Sequence, residues 1–195
     1  QEAAAFLDQA GRHLNEAEIH LVLIGGLPGT GKTTLAEGLA DRLGWAVLRT
    51  DEVRKELAGR DHLEPAGAAP FEGIYTPAFT TEVYRELLRR AQMALGWGDS
   101  VILDATWLDP EQRDAARAAA RSGHARLHEI CCDLALDEAT SRILARAAAG
   151  GDASDATPEV LTALTEKTQG TWTDAQHIDT SRRPADVIDH AVSLV

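Results

Sequence analysis

The stretch Gly26-Leu27-Pro28-Gly29-Thr30-Gly31-Lys32-Thr33 decides the fold of this chain, because it satisfies the pattern G-x-x-x-x-G-K-[ST]. An apolar run ends where the stretch begins, and a helical pattern starts at Lys32. In that context the pattern forms a phosphate-binding loop, whose glycines let backbone N–H groups turn toward phosphate oxygens at a helix N-terminus. The sequence therefore predicts a strand, a phosphate loop and a helix in succession. The alternative is an ordinary glycine-rich turn in which Lys32 is solvated.

The residues of this loop have distinct expected roles. Lys32 would reach the β- and γ-phosphates, and the Thr33 hydroxyl would ligate Mg²⁺. A second metal-side group is expected at Asp104, since the apolar run 101–103 ends in this carboxylate; the alternative is that Asp104 only caps a turn. Loop and carboxylate together predict a nucleoside triphosphate bound with Mg²⁺. The residues expected to contact the nucleotide are Gly26, Pro28, Gly29, Thr30, Gly31, Lys32, Thr33 and Thr34.

Short apolar runs alternate with longer helical patterns along the rest of the chain. Strands are predicted at residues 19–25, 46–50, 100–104, 126–133 and 177–180. Helices are predicted at residues 2–14, 32–43, 52–58, 77–95, 110–121, 137–148, 158–169 and 185–194. Such alternation builds right-handed βαβ units and a parallel sheet, so the predicted fold class is α/β. We expect one domain over residues 1–195, with an N-terminal helical extension (1–18), an acceptor-side segment (59–76) and a lid (137–157).

Composition limits the function classes that the chain can have. The 195 residues include 19 Lys and Arg against 31 Asp and Glu, which gives a net charge of −12. This balance excludes a broad nucleic-acid-binding surface, but it leaves room for a basic pocket on an acidic body. The longest apolar run is far shorter than the roughly 20 residues that span a bilayer, so we expect a cytoplasmic protein with no membrane partner. The chain starts at Gln1, which suggests a piece of a longer protein.

Cysteine and histidine spacing gives no support for a zinc site. Cys131 and Cys132 are adjacent in the fourth predicted strand, and both are expected to be core residues. Among the 7 histidines there is no H-x-x-H spacing, and the two cysteines do not form a C-x-x-C pair.

The end of the second predicted strand bears on the reaction type. Arg49-Thr50-Asp51-Glu52-Val53-Arg54 places a carboxylate, and three residues later an arginine, on the opening turn of a helix. This end of the strand faces the same crevice as the phosphate loop. There Asp51 can accept the proton of a hydroxyl that attacks the γ-phosphorus, while Arg54 fixes an anionic or polar acceptor. The alternative is that Asp51 is the N-cap of its helix.

Two arginines mark the predicted lid. Arg142 and Arg146 are spaced i, i+4 on one face of a helix that leads into Gly150-Gly151. We expect them to neutralise the charge on the transferring phosphoryl group, while the glycines let the segment close and exclude water. The alternative is a surface ion pair between Glu138 and Arg142.

The sequence resembles the small P-loop kinases related to polynucleotide 5′-kinase, chloramphenicol phosphotransferase and the zeta-toxin kinases. The resemblance rests on the phosphate loop and on T-D-E-V-R-K-E-L-A-G at residues 50–59, D-A-T-W-L-D-P at 104–110 and G-D-A-S-D-A-T-P-E-V-L at 151–161. The chain is most similar to the ATP-binding kinase domain that occurs alone or fused behind an aminoglycoside-phosphotransferase-like domain. The resemblance implies a three-layer P-loop NTPase fold with a five-stranded parallel sheet in the order 2-3-1-4-5, helices on both faces and a helical lid.

The same resemblance implies roles for individual residues. In that kinase group the position of Asp51 is the general base, and the arginine matching Arg54 contacts the acceptor. Arginines spaced like Arg142 and Arg146 contact the nucleotide phosphates. The D-x-T loop lies on the acceptor side, so Thr106 is a candidate contact. The implied cofactors are ATP and Mg²⁺, and the implied partner is a fused or separate second domain.

The acceptor is the least patterned part of the prediction. Tyr75, in the acceptor-side segment, and Trp107, after Asp104-Ala105-Thr106, are candidates for substrate contact, with packing onto the sheet as the alternative for each. The leading hypothesis is a phosphotransferase that moves the γ-phosphoryl of ATP to a hydroxyl of a small molecule. One alternative is a polynucleotide 5′-hydroxyl kinase, whose partner would be a short single-stranded nucleic-acid end. Another is an ATP-sensing regulatory module of a larger protein.

Overall fold

A five-stranded, all-parallel sheet forms the centre of the protein. The computed structural model describes residues 18–61, 73–149, 156–167 and 172–195. The strands stand in the order β2-β3-β1-β4-β5. The predicted α/β class and the predicted strand order are therefore confirmed. The strand bounds are β1 (His20–Gly25), β2 (Ala46–Arg49), β3 (Val101–Asp104), β4 (Arg126–Asp133) and β5 (Gln176–Asp179).

Helices cover both faces of this sheet. Leu21 and Leu23 of β1 pack into a core cluster on one face, and Val22 and Ile24 pack into the cluster on the other. Because successive residues of β1 alternate between two buried faces, the strand is apolar throughout. The helices are α1 (Lys32–Leu43), α2 (Thr50–Leu57), α3 (Pro77–Gly96), α4 (Pro110–Ser122), α5 (Leu136–Ala149), α6 (Pro158–Lys167) and α7 (Pro184–Val192), with a short 3-10 helix (Gly73–Tyr75) before α3.

The most consequential difference from the predicted boundaries is at the start of α2. This helix was expected to begin at Glu52, with Asp51 as its potential cap, but it begins at Thr50 and its N-cap is Arg49. The Thr50 hydroxyl donates to the carbonyl oxygen of Asp104 at 3.3 Å, which ties the start of α2 to the end of β3. Asp51 therefore lies inside the first turn, and its interpretation as an N-cap is wrong.

The helical part of the predicted lid packs against the phosphate loop. Ala139 and Ile143 of α5 form a small buried cluster with Leu161 of α6, and Leu27 of the loop packs beside them. The predicted helix at 2–14, most of the acceptor-side segment (62–72) and the glycine-rich part of the lid (150–155) lie outside the described residues. In the described ranges, no helix combines the length and the apolar character that crossing a membrane requires.

Candidate functional site

The carboxyl ends of β1, β2 and β3 meet at one edge of the sheet. In the strand register, Ile24 of β1 and Arg49 of β2 both lie beside Asp104 of β3. The phosphate loop leaves β1 at this edge, and α2 starts there as well. The fold therefore brings the loop, Asp104 and the first turn of α2 to the crevice where ligands bind in open α/β sheets.

Two glycines of the loop are required by the close approach of other backbone. Gly26 and Gly29 have φ angles of 131° and 81°. A Cβ at Gly26 would stand 2.6 Å from the carbonyl oxygen of Cys132, and a Cβ at Gly29 would stand 2.5 Å from that of Ala139. Neither position can carry a side chain without displacing β4 or α5, so these two elements hold the loop in its conformation.

The loop opens onto the N-terminus of α1. Gly31 is the N-cap of this helix, with φ 88°, and has no side chain with which to cap it, so the first-turn N–H groups are placed to bind an anion. Lys32 Nζ lies over the loop and donates to the carbonyl oxygen of Leu27 at 2.9 Å. Of the remaining predicted contacts, Pro28 and Thr30 are buried in the loop, and Thr34 is exposed.

Thr180, after β5, fastens the loop from the opposite side. Its hydroxyl lies 2.7 Å from the carbonyl oxygen of Thr30 and 2.9 Å from that of Asp133, and the residue is 5% exposed. Its buried hydroxyl therefore links the loop to the end of β4.

Thr33 and Asp104 form the oxygen pair expected for Mg²⁺. The Thr33 hydroxyl donates to Asp104 Oδ2 at 2.7 Å. Burial raises the pKa of the Asp104 carboxyl, against the opposing effects of Lys32 and of the Thr33 hydrogen bond, and the charge of Asp51 raises it further. Hydroxyl and carboxylate oxygens are the ligands that Mg²⁺ prefers. The donor set therefore fits the metal that a phosphate loop implies.

Arg49 is a site residue that the sequence analysis did not assign. Its Nε lies 3.6 Å from Asp104 Oδ2, and its Nη2 lies 3.5 Å from Thr33 Oγ1. Its Nη1 lies 3.4 Å from a Glu52 oxygen and 3.7 Å from a Glu37 oxygen. A positive charge thus stands beside the pair that would hold Mg²⁺. The available signal was its position as the last residue of β2, level with Asp104 in the neighbouring strand.

Asp51 lies near this pair, in the first turn of α2. The residue is half-buried, and it is close enough to Asp104 for its negative charge to raise the pKa of that carboxyl. Because Arg49 occupies the N-cap position, Asp51 does not serve as the helix cap. The carboxylate predicted to act as a base is therefore within electrostatic reach of Asp104.

Arg54 and Tyr75, which are both predicted to contact an acceptor, are brought together. Arg54 is 6% exposed, and its Nη1 donates to the carbonyl oxygen of Ile74 at 2.7 Å and to Thr80 Oγ1 at 3.2 Å. Its guanidinium carbon lies 5.0 Å from the centre of the Tyr75 ring. Its Nε is buried and has no hydrogen-bond partner among the described residues. Arg54 thus holds the 3-10 helix against α2 and places a buried positive charge there.

The prediction that Trp107 lines the crevice is wrong. The residue is 1% exposed, and its ring meets Tyr84 edge-on with 5.2 Å between centroids. A Cβ at Gly25 would stand 3.2 Å from this ring, so the indole is enclosed in the core beneath β1. Its neighbour Thr106 is half-buried, and the Thr106 hydroxyl lies 3.2 Å from the Tyr84 hydroxyl. Trp107 supports the loop after β3 and has no free surface for a ligand.

Arg142, the first of the two predicted lid arginines, lies beside the phosphate loop. Arg142 Nη2 donates to the carbonyl oxygen of Thr180 at 2.8 Å, and its Nη1 is 3.5 Å from where a Cβ on Gly31 would stand. This placement favours the lid interpretation over a surface ion pair with Glu138. Arg146 follows one turn later on α5 and is half-buried.

Comparisons with known proteins agree with this architecture. A family model described as an AAA domain matches residues 21–171. An uncharacterized protein of Mycobacterium tuberculosis (strain H37Rv) is 42% identical over 180 residues, which make up 92% of this chain and 35% of that protein. The chain therefore spans about a third of the length of this relative.

Two solved structures show the same fold at low identity. A sugar kinase from Janibacter sp. HTCC2649 superposes with a TM-score of 0.66 at 20% identity, covering 90% of this chain and 94% of that one. The APS kinase of Mycobacterium tuberculosis, solved with AMPPNP and APS, gives a TM-score of 0.65 at 21% identity, covering 91% of this chain and 97% of that one. At this identity the likeness establishes the three-layer α/β fold. The family is established separately: since the AAA domain model extends from β1 past α6, the chain belongs to the AAA domain family.

Proposed function

We propose that the protein is a Mg²⁺- and ATP-dependent phosphotransferase that moves the γ-phosphoryl of ATP to a hydroxyl of a small molecule. The observation that carries the proposal is the 2.7 Å contact between Thr33 and Asp104 at the end of the phosphate loop, with the Asp51 carboxylate close by. A nucleotide-binding cradle and a carboxylate that can serve as a base then share one edge of the sheet.

The nucleotide side is assigned to the loop, to Lys32 and to the lid arginines. Backbone N–H groups at the start of α1 and the Lys32 ammonium would bind the β- and γ-phosphates. Thr33 and Asp104 would hold Mg²⁺, which supplies positive charge to the phosphate oxygens. Arg142, already directed over the loop, and Arg146 would balance the charge that spreads over the transferring group.

The acceptor side is assigned to α2 and the 3-10 helix. Asp51 would accept the proton of the acceptor hydroxyl as its oxygen forms a bond to the γ-phosphorus, while the bond from that phosphorus to the β–γ bridging oxygen breaks and ADP leaves. Arg54, with Tyr75 beside it, supplies a positive charge at this end of the crevice. Thr106 follows Asp104 on the same side and is a further proposed contact.

Charge and similarity both favour a small acceptor over a polynucleotide. The net charge of −12 would repel a long phosphate backbone from most of the surface. The similar solved proteins are by name a sugar kinase and an APS kinase, which supports a small acceptor here too. Since the M. tuberculosis relative is longer, we propose that this domain acts beside another one in the same polypeptide or as a separate partner.

A panel of acceptors tests this function. The purified chain is incubated with Mg²⁺ and γ-labelled ATP, and transfer of label is measured to sugars, nucleosides, amino alcohols and short RNA and DNA oligomers with 5′-hydroxyl ends. Lys32→Ala is the control for transfer that does not depend on the loop. Transfer to a small hydroxyl compound supports the proposal. Transfer confined to the oligomers would replace it with a polynucleotide 5′-kinase. ATP binding that changes hydrogen exchange in the lid, with no transfer to any acceptor, would replace it with an ATP sensor.

A further inference from the structure

Three side chains of mixed chemistry converge at the end of β4, outside the site assigned to ATP and Mg²⁺. They are Cys131 and Asp133 of β4 and His177 of β5. The sulfur, a carboxylate oxygen and a ring nitrogen all lie within 4.8 Å of one another. Sulfur, imidazole nitrogen and carboxylate oxygen are the three donor types that zinc takes from proteins.

Strand geometry explains why the sequence did not reveal this cluster. Cys131 and Asp133 are two residues apart on one strand, so their side chains share a face of the sheet. His177 is the register partner of Cys131 on the neighbouring parallel strand, which places it on that same face. The three residues therefore meet across two strands that are separated by more than 40 positions in the chain, and no local spacing motif marks them.

The hydrogen bonds of His177 leave one ring nitrogen directed at the cluster. Its Nε2 lies 3.0 Å from the carbonyl oxygen of Trp172, which can only accept, so Nε2 carries a proton and donates it. Its Nδ1 lies 2.8 Å from Asp133 Oδ2, which is also an acceptor when ionised. A neutral imidazole has one N–H, so the 2.8 Å contact between Nδ1 and Asp133 needs a further proton, on the ring or on the carboxyl group. A metal ion bound by both atoms would replace that proton and widen their separation to about 3.3 Å.

A histidine held in this way has the tautomer that metal ligands have in proteins. Metal-bound histidines commonly donate their other ring N–H to a backbone carbonyl, which fixes the ring and leaves the second nitrogen for the ion. Cys131 adds the third donor, with its Sγ 3.8 Å from Asp133 Oδ1. The side chains of Asp133 and His177 are 55% and 36% exposed, so an ion and a water molecule can reach them from solvent.

We propose that Cys131, Asp133 and His177 form a zinc site with a fourth position open to water. Zinc bonds of about 2.0 Å to nitrogen and oxygen and 2.3 Å to sulfur put tetrahedral ligand atoms about 3.3 to 3.6 Å apart. The Nδ1–Oδ2 separation of 2.8 Å is shorter than this range, and the Sγ separation of 3.8 Å, which is to the other oxygen of Asp133, is longer. Zinc binding would therefore require a small rotation of the exposed Asp133 side chain. The site differs in kind from the Thr33–Asp104 pair, since Mg²⁺ takes oxygen ligands and does not favour sulfur.

Zinc at this site would stabilise the end of β4, where the lid begins. Asp133 lies three residues before the start of α5. Its backbone oxygen accepts a hydrogen bond from the Thr180 N–H and lies 2.9 Å from the Thr180 hydroxyl. The Thr180 hydroxyl also reaches the phosphate loop at Thr30. An ion bound by residues of both β4 and β5 would therefore hold together the two strands whose ends contact the phosphate loop through Thr180.

The test measures metal binding by the nucleotide-free chain after treatment with a chelator. Zn²⁺ alone is titrated by calorimetry, and Co²⁺ is titrated by absorption, since a Co²⁺–thiolate bond gives a charge-transfer band. Cys131→Ser and His177→Gln each remove one ligand while preserving much of the side-chain shape. Cys132→Ala and His190→Gln are the matched controls, because Cys132 packs into the opposite core cluster and His190 is an exposed residue of α7.

We expect one zinc ion per chain, a thiolate band with Co²⁺ and a zinc-dependent rise in Tm. Cys131→Ser abolishes the band, both ligand variants weaken zinc binding by at least about tenfold, and both controls leave it unchanged. Circular dichroism of the metal-free variants shows that they are folded. Zinc binding of equal strength in Cys131→Ser and His177→Gln would overturn the proposal, as would failure of the wild-type chain to bind zinc, which would leave only an ion pair between His177 and Asp133.

Discussion

Replacing Tyr84 by phenylalanine removes one buried oxygen that organises the loop after Asp104. Tyr84 is 4% exposed; its hydroxyl accepts the backbone N–H of Trp107 at 3.3 Å and lies 3.2 Å from the Thr106 hydroxyl. The substitution leaves the buried Trp107 N–H without this partner, at a cost of about 1–3 kcal/mol. Thr106 is only half-buried and can turn to water. We expect Tyr84→Phe to lower the free energy of unfolding by roughly 2 kcal/mol.

Chemical and thermal unfolding measure this loss. In a chain of this size, 2 kcal/mol lowers Tm by about 4–8 °C. Thr106→Val is the matched control: it removes one neighbour of the Tyr84 hydroxyl but keeps the bond to the Trp107 N–H, so its cost should be about 1 kcal/mol or less. A Tyr84→Phe variant as stable as wild type, or no more destabilised than Thr106→Val, would refute the reasoning that the Trp107 amide depends on this oxygen.

Three further outcomes follow from charges in the site and core. Burial raises the pKa of Asp104, so its charged form destabilises the nucleotide-free fold, and Asp104→Asn should be at least as stable as wild type in thermal unfolding. The same variant should lose about 10²-fold or more in phosphoryl transfer. A destabilised Asp104→Asn variant would contradict this account. Arg142→Ala should reduce the rate of phosphoryl transfer by about 10³-fold, because it removes an arginine that stabilises transition-state charge, and Arg142→Lys should retain part of that rate. Leu144→Ala changes an exposed residue of the same helix and is the control that should leave the rate unchanged. Burial raises the pKa of Tyr84, so the neutral phenol stabilises the fold below about pH 10; that stability is lost as pH rises through the folded-state pKa, and a denaturation series across this range should show a steeper loss for wild type than for Tyr84→Phe.

Local sequence pattern was sufficient to predict the α/β class and the positions of the phosphate loop and Asp104, whereas the strand order was implied by the resemblance to known kinases. The phosphate loop is contiguous in sequence, and Asp104 ends a buried strand that pairs directly with β1, so both positions follow from strand order. Arg142 could be placed near the loop from its helix and from the resemblance to known kinases. Each of these inferences depends on neighbours within a few positions, on the regular geometry of a parallel sheet or on that resemblance.

The features that the sequence did not reveal depend on tertiary packing that one sequence does not encode locally. Trp107 follows the end of a strand, and a side chain at such a position can either line the crevice or pack into the core. Its ring packs into the core because it contacts Tyr84 and lies beside Gly25. Asp51 is a residue type that often caps helices, but α2 begins one residue earlier, at Thr50, whose hydroxyl is hydrogen-bonded to the end of β3. Asp51 therefore lies inside the helix. The Cys131–Asp133–His177 cluster depends on the register between β4 and β5, which spacing along the chain does not show.

The role of Asp51 as the base is the central claim about the mechanism, and Asp51→Asn tests it most directly. With an acceptor from the panel, label transfer and ATP binding by calorimetry are measured on the same preparation, with Glu52→Gln in the same helical turn as the control. We predict that Asp51→Asn binds Mg²⁺ and ATP like wild type and loses about 10²–10⁴-fold in transfer rate, whereas Glu52→Gln retains most of it. Undiminished transfer by Asp51→Asn would contradict the account.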